Sequence, residues 1–219
     1  MLKFFAFTSN RVDLIELQIR SFKKYLQEDF TFTIFNNSKF DRPQEHEGIE
    51  QMCRKWGITT HDVEKDQELI DRCNRIETKC TVFNNQGSWS NNNCAGLYAC
   101  CYVWEKFIVK ETGPICLLHP DVFLERPVKL TDYLQDSPLC FIPQTRENLG
   151  GNHMHDALVL ADMSRLPDAK DIFWWGSLVN GISTDIGGQT YFYLKAHPEL
   201  IPTYIQPHYY EDDPAVDFH

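Results

Sequence analysis

ICLLHPDVFLERP, residues 115–127, is an apolar run that ends at a histidine, a proline and an aspartate and then turns apolar again. The run predicts a buried strand, and the Pro-Asp pair predicts the turn that ends it. His119 and Asp121 lie two residues apart at the end of this strand. Polar side chains there are typical of a ligand-binding rim, so we expect further polar groups to reach the same rim.

Strands and helices alternate in the sequence before this central strand. Leu2–Thr8 is predicted to be a buried strand, and residues 12–26 repeat apolar side chains at helical spacing. Further strands are predicted at residues 31–35, 59–63, 139–143, 157–162 and 201–205, and further helices at residues 48–56, 66–76 and 92–109. The alternation predicts an α/β fold with a mainly parallel central sheet and helices on both faces.

Polar clusters follow three of the predicted strands. Ligands bind to such a sheet beyond the carboxyl ends of its parallel strands. The clusters are Thr8, Asn10 and Arg11 after the first strand, Asn36 and Asn37 after the second, and His119 and Asp121 after the central one. Caps and turns use the same residue types without any ligand, so their shared position at one rim is what favours binding.

Charge and composition restrict the partners of the chain. Its 219 residues include 31 acidic and 21 basic ones, for a formal charge of -10, and Lys and Arg form no basic run. A nucleic-acid polymer is therefore not an expected partner. The first apolar segment, residues 2–7, is too short for a signal peptide or a membrane span, and the eight cysteines include no C-x-x-C pair. These features predict a cytoplasmic protein with reduced, buried thiols and no transmembrane segment.

The order of these segments resembles that of the GT-A glycosyltransferases. In that family an apolar strand followed by D-x-D comes after two or three βα units, and LLHPDVFL, residues 117–124, resembles this motif with His119 in the first acidic position. FFAFTSNRVDLIELQIRSFKKYL, residues 4–26, resembles the opening strand and helix of the family. FWWGSLVNGISTDIGGQTYFYLK, residues 173–195, resembles its acceptor loop.

The resemblance implies a GT-A fold in a single domain of residues 1–219. Residues 1–124, approximately, would bind the nucleotide sugar, and residues 125–219 would form the acceptor side. The implied activity is a hexosyltransferase-type reaction. A sugar would pass from a nucleoside-diphosphate donor, expected to be a UDP-sugar, to a hydroxyl of a glycan or glycoconjugate.

A divalent metal is the implied cofactor, because it offsets the negative charge of the diphosphate leaving group. Asp121 is its predicted ligand, with His119 and His208 as further ligands, and an imidazole nitrogen favours Mn²⁺ over Mg²⁺. Two alternatives stay open, since His119 could contact a phosphate or the ribose directly and HPD could be a plain turn. The predicted donor contacts are Thr8, Asn10, Arg11, Asn36, Asn37, His119 and Asp121.

TDIGGQT, residues 184–190, carries the predicted acceptor chemistry. Asp185 is the predicted catalytic residue, because it could deprotonate the acceptor hydroxyl; alternatively it could cap a following helix. Trp174 and Trp175 are predicted to stack on a sugar, with the apolar core as the alternative for at least one of them. The remaining predicted acceptor contacts are Gly187, Gly188, and His153 and His155 in a glycine-led loop over residues 150–156.

Three other functions remain open on the sequence. A sugar nucleotidyltransferase would need a glycine-rich, basic loop after the first strand, and TSNRVD, residues 8–13, is not one. A non-catalytic module on the same fold would bind a nucleotide without turnover. A metallohydrolase would use His119, Asp121, His153 and His155 around zinc.

Overall fold

Helices and strands alternate through the first half of the chain, and strands dominate the second. The computed structural model describes residues 1–8, 11–38, 43–76, 92–144 and 149–206. The described strands are β1 (Leu2–Thr8), β2 (Phe30–Asn36), β3 (Thr59–Asp62), β4 (Pro114–Leu118), β5 (Leu139–Gln144), β6 (His153–Asp162), β7 (Leu178–Val179), β8 (Ile182–Ser183) and β9 (Thr203–Tyr204). The described α-helices are α1 (Val12–Tyr25), α2 (Pro43–Trp56), α3 (Gln67–Arg75), α4 (Asn92–Lys106) and α5 (Thr190–Ala196), and short 3₁₀ helices lie at Ile108–Lys110, Leu130–Leu134 and Ala169–Asp171.

A seven-stranded sheet forms the centre, in the order β3-β2-β1-β4-β6-β5-β9. The strands β3, β2, β1 and β4 run parallel to one another, and β9 runs parallel to β5. Strand β6 is antiparallel to both of its neighbours, β4 and β5. The predicted α/β fold with a mainly parallel sheet is therefore confirmed.

Two apolar layers cover the sheet, because side chains along each strand alternate between its faces. In β1, Phe5 and Phe7 belong to one buried cluster, which also contains α3 and α4 side chains. Phe4 and Ala6 belong to the other, which also contains side chains of α1 and α2. Helix α1 contributes Ile15, Ile19 and Phe22, all at most 1% exposed and spaced along one face of the helix. None of the described helices combines the length and apolar character that a bilayer crossing requires.

The carboxyl ends of the parallel strands lie at one edge of the sheet. Thr8 pairs with Asn36 across β1 and β2, and Asn36 pairs with Asp62 across β2 and β3. On the other side of β1, Ala6 pairs with Leu118, the last residue of β4. The residue that follows β4, His119, therefore lies at the same edge as Thr8.

The second half differs from the sequence prediction at several positions. The loop expected over residues 150–156 is wrong from His153 onward, because His153 and Met154 pair with Gln144 and Pro143 and so lengthen β6. Asp185 does not cap a helix, since residues 186–189 form turns and α5 begins only at Thr190. The hairpin of β7 and β8 was not predicted.

Candidate functional site

His119 and Asp121 form a bonded pair directly after β4. The amide of His119 donates to the carbonyl of Ala157 in β6 at 3.0 Å, which extends the pairing of β4 and β6 by one residue. Nδ1 of His119 and Oδ1 of Asp121 are 2.6 Å apart. A carboxylate only accepts hydrogen bonds, so Nδ1 carries the proton and Nε2 faces away from Asp121. The side chains are 36% and 58% exposed, so both are open to a ligand.

The side chain of Gln18 in α1 hydrogen-bonds to the backbone of the turn that carries His119 and Asp121. This side chain is fully buried, and Nε2 donates to the carbonyl oxygens of His119 at 2.8 Å and Val122 at 3.0 Å. The ring of Phe7 meets the His119 imidazole edge-on, with centroids 5.7 Å apart. The turn that carries the imidazole and the carboxylate is therefore fixed by the helix and the strand beneath it.

Asp156 is a third member of the site, and its sequence context did not predict it. It lies in β6 next to Ala157, is 4% exposed, and has its Oδ1 3.5 Å from Nδ1 of His155. Its Oδ2 is buried and has no hydrogen-bond partner among the described residues. Buried polar atoms normally have a partner, so an unpaired carboxylate oxygen here indicates a place for a bound cation or water.

Electrostatic coupling links these groups. Burial lowers the pKa of His119, but the hydrogen bond to Asp121 and the charges of Asp156 and Asp121 outweigh it, and the net shift is upward. The hydrogen bond from His119 holds the pKa of Asp121 below its ordinary value. Burial raises the pKa of Asp156; the charges of His119 and His155 act against the shift and that of Asp185 adds to it. Two carboxyl groups of one site thus have opposite shifts, an arrangement typical of functional sites.

The turn that carries Asp185 packs on the start of β6. Thr190 Oγ1 accepts from the amide of Met154 at 2.9 Å and donates to the carbonyl of Gly187 at 2.6 Å. Gly187 has φ +82, and a Cβ there would lie 1.9 Å from the Met154 carbonyl oxygen. This close contact places Asp185 near Asp156, and the charge of Asp185 raises the pKa of Asp156.

Packing within the protein already accounts for several predicted acceptor residues. A Cβ on Gly188 would lie 1.7 Å from Thr184 Oγ1. Trp174 is fully buried and meets Trp104 edge-on at 5.4 Å, and Trp175 is 5% exposed. The alternative of an apolar core therefore holds for Trp174, and sugar contacts of these residues stay predictions.

The two histidines of β6 differ in environment. His153 is fully buried, and its Nε2 lies 2.7 Å from Gln144 Oε1. The side chain of His155 is 38% exposed, and its Nδ1 accepts from the amide of Ala157 at 3.0 Å. The charge of His155 acts on both Asp121 and Asp156, so His155 is the histidine of the pair that belongs to the site.

The predicted donor residues lie along the same edge. Thr8 is 2% exposed, and its Oγ1 has no hydrogen-bond partner within the described ranges. Arg11 is paired with Asp13 at 2.8 Å, and it lies close enough to Asp121 for that charge to raise its pKa. Asn36 is fully buried, and its side chain donates to the carbonyl of His46 and accepts from Ser38. Asn37 follows β2, and its amide donates to the carbonyl of Thr8 at 2.9 Å; Asn10 and His208 lie outside the described residues.

Comparison with known proteins identifies the fold. Neither protein-family models nor the sequences of curated proteins match this chain. The apo form of mouse xyloside xylosyltransferase 1 matches it with a TM-score of 0.56 and 11% identity, over 93% of this chain and 84% of that one. The galactosyltransferase LgtC, in complex with donor and acceptor sugar analogues, matches with a TM-score of 0.50 and 10% identity, over 93% of this chain and 73% of that one. The chain therefore has the fold of the GT-A glycosyltransferases.

Proposed function

We propose that the protein is a glycosyltransferase that moves a sugar from a nucleoside-diphosphate donor, a UDP-sugar, to a hydroxyl of a glycan or glycoconjugate. One observation carries the proposal: the bonded pair of His119 and Asp121 lies at the carboxyl edge of a GT-A sheet, near enough to buried Asp156 for its charge to act on His119. One of the structures similar to this chain is a galactosyltransferase in complex with donor and acceptor sugar analogues. In this chain, the carboxyl edge of the sheet carries charged and hydrogen-bonding groups of the kind that a nucleotide sugar requires.

Donor binding is assigned to the ends of β1 and β2. Thr8 offers a buried hydroxyl without a partner among the described residues, which a ribose or base could satisfy. Arg11 is exposed, is paired with Asp13 and lies near Asp121. Its guanidinium group is therefore accessible to a diphosphate from solvent. Asn10, Asn36 and Asn37 complete the proposed set at this edge.

The residues after β4 fit a divalent metal. Asp121 presents an exposed carboxylate, His119 has a second ring nitrogen beyond the one bonded to Asp121, and the Asp156 Oδ2 is a buried oxygen that a cation would satisfy. This mixed set of oxygen and nitrogen donors favours Mn²⁺ over Mg²⁺, with His208 as a further proposed ligand. When bound, the metal would offset the charge that develops on the diphosphate.

Asp185 is proposed to take the proton of the acceptor hydroxyl. Its turn is fixed against the start of β6 through Thr190 and Gly187, so the carboxyl group is presented from a rigid support. Acceptor contacts are proposed for Trp174, Trp175, Gly187, Gly188, His153 and His155. A carboxylate that acts as a base on the acceptor suits a single displacement with inversion of the anomeric centre.

We place this reaction in the cytoplasm. Six cysteines of the described ranges are free and buried. Burial raises the pKa of Cys100 and Cys116 well above the ordinary thiol value, so these groups stay as unreactive thiols. Such thiols suit a reducing compartment.

Thermal shift and transfer assays on a panel of nucleotide sugars test the proposal, with Mn²⁺, with Mg²⁺ and with EDTA. A UDP-sugar with Mn²⁺ should stabilise the protein, by about 2.7 kcal/mol at a hundredfold excess over its Kd, and should be consumed with an added hydroxyl acceptor. Asp121→Asn should abolish both effects. Asp132→Asn is the matched control, because Asp132 is an exposed aspartate of the 3₁₀ helix Leu130–Leu134.

The other outcomes separate the alternatives. Stabilisation by a nucleotide without turnover would identify a non-catalytic binding module. Formation of a nucleotide sugar from a nucleoside triphosphate and a sugar phosphate would identify a nucleotidyltransferase. If no nucleotide shifts the Tm under any metal condition, the donor site and the proposed transfer are both refuted.

A further inference from the structure

A second group of potential ligands lies where α2 meets β3, outside the site at the end of β4. His46 and Glu50 are one helical turn apart on α2, and Asp62 is the last residue of β3. One ligand atom from each side chain lies within 4.8 Å of the other two. In the described part of the chain, no other three histidine, cysteine, aspartate or glutamate side chains meet in this way.

Hydrogen bonds already orient these side chains. Nε2 of His46 lies 2.7 Å from Oδ1 of Asp62. Thr60, two residues before Asp62 and on the same face of β3, donates its hydroxyl to Glu50 Oε2 at 2.9 Å. The bond from Thr60 to Glu50 is an outer hydrogen bond of the kind that typically holds protein metal ligands, while the bond between His46 and Asp62 joins two of the ligands themselves. The group is therefore oriented before any ion arrives.

Burial and charge also suit a cation. The side chains of His46, Glu50 and Asp62 are 23%, 22% and 29% exposed, so water is partly excluded while an ion can still enter. The two carboxylates place two negative charges beside one imidazole. Nη1 of Arg54 lies 4.0 Å from Glu50 Oε2, but the Arg54 side chain is 63% exposed, so solvent screens its charge.

We propose that His46, Glu50 and Asp62 bind a divalent transition metal of the zinc class. Zn²⁺ accepts imidazole nitrogen and carboxylate oxygen at about 2.0–2.2 Å and takes four ligands, which sets neighbouring ligand atoms roughly 3.4 Å apart. The three ligand atoms already lie within 4.8 Å of one another, so small rotations of these partly buried side chains would give this spacing. Zinc replaces the hydrogen bond that His46 Nε2 donates to Asp62 Oδ1: the proton of the neutral imidazole moves to Nδ1, Nε2 binds the ion, and water fills the fourth position.

The ion ties helix α2 to β3, the outer strand of the sheet. It is separate from the metal proposed after β4, and it does not depend on the proposed transfer reaction. Asn36 connects the region to the donor edge, since its side chain donates to the carbonyl of His46 at 3.1 Å. Zinc binding therefore steadies the end of β2 as well as that of β3.

Titration of the EDTA-treated full chain with zinc chloride alone, by calorimetry and thermal shift, tests the site. The wild type should bind one equivalent that Glu50→Gln and Asp62→Asn each weaken by about tenfold or more. Saturating zinc should raise the Tm of the wild type by about 5 °C and that of the two variants by much less. Far-ultraviolet circular dichroism of both variants checks that they fold.

Two control variants separate this site from other zinc ligands. His197→Gln removes a histidine that is hydrogen-bonded to Glu199 at 2.9 Å elsewhere in the protein, and should leave zinc affinity unchanged. Asp121→Asn should also retain the zinc equivalent. An unchanged stoichiometry and affinity for zinc in Glu50→Gln and Asp62→Asn, the loss of this equivalent in Asp121→Asn, or no zinc binding by the wild type would overturn the proposal. The transfer assay has no bearing on this result, because zinc is the sole ligand.

Discussion

At the scale of single residues, two aspartates at one edge of the sheet have opposite environments. Asp121 is 58% exposed and accepts a hydrogen bond from His119, which holds its pKa low. Asp156 is 4% exposed, and burial raises its pKa. The first is a ready ligand for a cation, and the second is a carboxyl group that the fold keeps at a cost in stability.

Asp121→Asn should lower the pKa of His119. Burial already acts to lower this pKa, and the hydrogen bond to Asp121 is the largest effect that raises it. Without that bond the upward shift should be lost, as measured by NMR titration of the imidazole C–H signals. Asp132→Asn should leave the titration unchanged, and an unshifted His119 in Asp121→Asn would contradict the assignment.

The same pair predicts a pH window of stability. A histidine whose pKa is raised on folding stabilises the protein at pH values below its unfolded pKa, and this stabilisation is lost as the pH rises through its folded pKa. An aspartate whose pKa is lowered on folding stabilises the protein at pH values above its unfolded pKa, and this stabilisation is lost as the pH falls through its folded pKa. The bond between His119 and Asp121 therefore contributes most between about pH 4 and pH 6.5. We expect Asp121→Asn to lose more unfolding free energy, relative to the wild type, at pH 5.5 than at pH 8.5, as measured by chemical unfolding at the two pH values.

Asp156→Asn should stabilise the protein and abolish transfer. A raised carboxyl pKa means that the ionised form opposes folding increasingly as the pH rises above the unfolded value. A neutral amide of the same shape removes this opposition, which we expect to add on the order of 1 kcal/mol at pH 7. Calorimetric melting measures the stability, and a transfer assay measures the activity. A lower Tm would contradict the prediction and show that the ionised Asp156 stabilises the folded protein through His119 and His155.

At the scale of elements, segments with a periodic pattern were predictable and segments defined by distant pairing were not. Strand β1 was predicted with its observed bounds, and α1 to within one residue, because apolar side chains repeat at the strand and helix periods. The start of β6 is polar and follows two glycines, and it is a strand because it pairs with Pro143 and Gln144. Asp156 was missed with it. The hairpin of β7 and β8 has two residues in each strand, too few for a period, although Asn180-Gly181 is a typical hairpin turn.

Gly187→Ala should destabilise the turn that carries Asp185. The φ of +82 is unfavourable for alanine, and the added Cβ would lie 1.9 Å from the carbonyl oxygen of Met154. We expect a loss of more than about 2 kcal/mol in chemical unfolding. Gly181→Ala is a close control, because Gly181 has φ +80 with no heavy atom within 4 Å of the added Cβ; equal losses in the two variants would rule out the steric explanation.

Gln18→Leu should loosen the turn that carries His119. The change leaves the carbonyl oxygens of His119 and Val122 without their side-chain donor, and each unsatisfied buried group costs about 1–3 kcal/mol. We expect lower stability together with a higher KM for the donor, since the displaced residues are proposed to bind it. Leu17→Ala, at an exposed neighbouring position, should change neither quantity. An unchanged KM would mean that Gln18 supports the fold alone.

At the scale of the whole molecule, one sheet runs through both predicted halves. Strands β1 to β4 belong to residues 1–124, and β6 of the second half pairs directly with β4 over five residue pairs. One buried cluster also includes side chains from both halves, among them Trp104 and Trp174. The boundary near residue 124 stays a prediction about ligand contacts, and it does not mark a break in the core.

Unfolding of the full chain should therefore show one cooperative transition. Circular dichroism reports the sheet and helices, and tryptophan fluorescence reports the cluster around Trp104 and Trp174, so the two midpoints should coincide. Separate midpoints would indicate two units that unfold independently. Added zinc should shift both midpoints together if the metal stabilises the whole domain.

The reversed direction of β6 brings a distant part of the chain to the end of β4. Because β6 runs opposite to β4, its first residues lie beside the last residues of β4. The second acid of the edge can then come from a distant part of the chain, and here Asp156 lies near enough to His119 for its charge to act on the imidazole. A pattern that requires two aspartates two residues apart passes over this chain. The acidity of the edge is a property of strand connectivity as much as of one short motif.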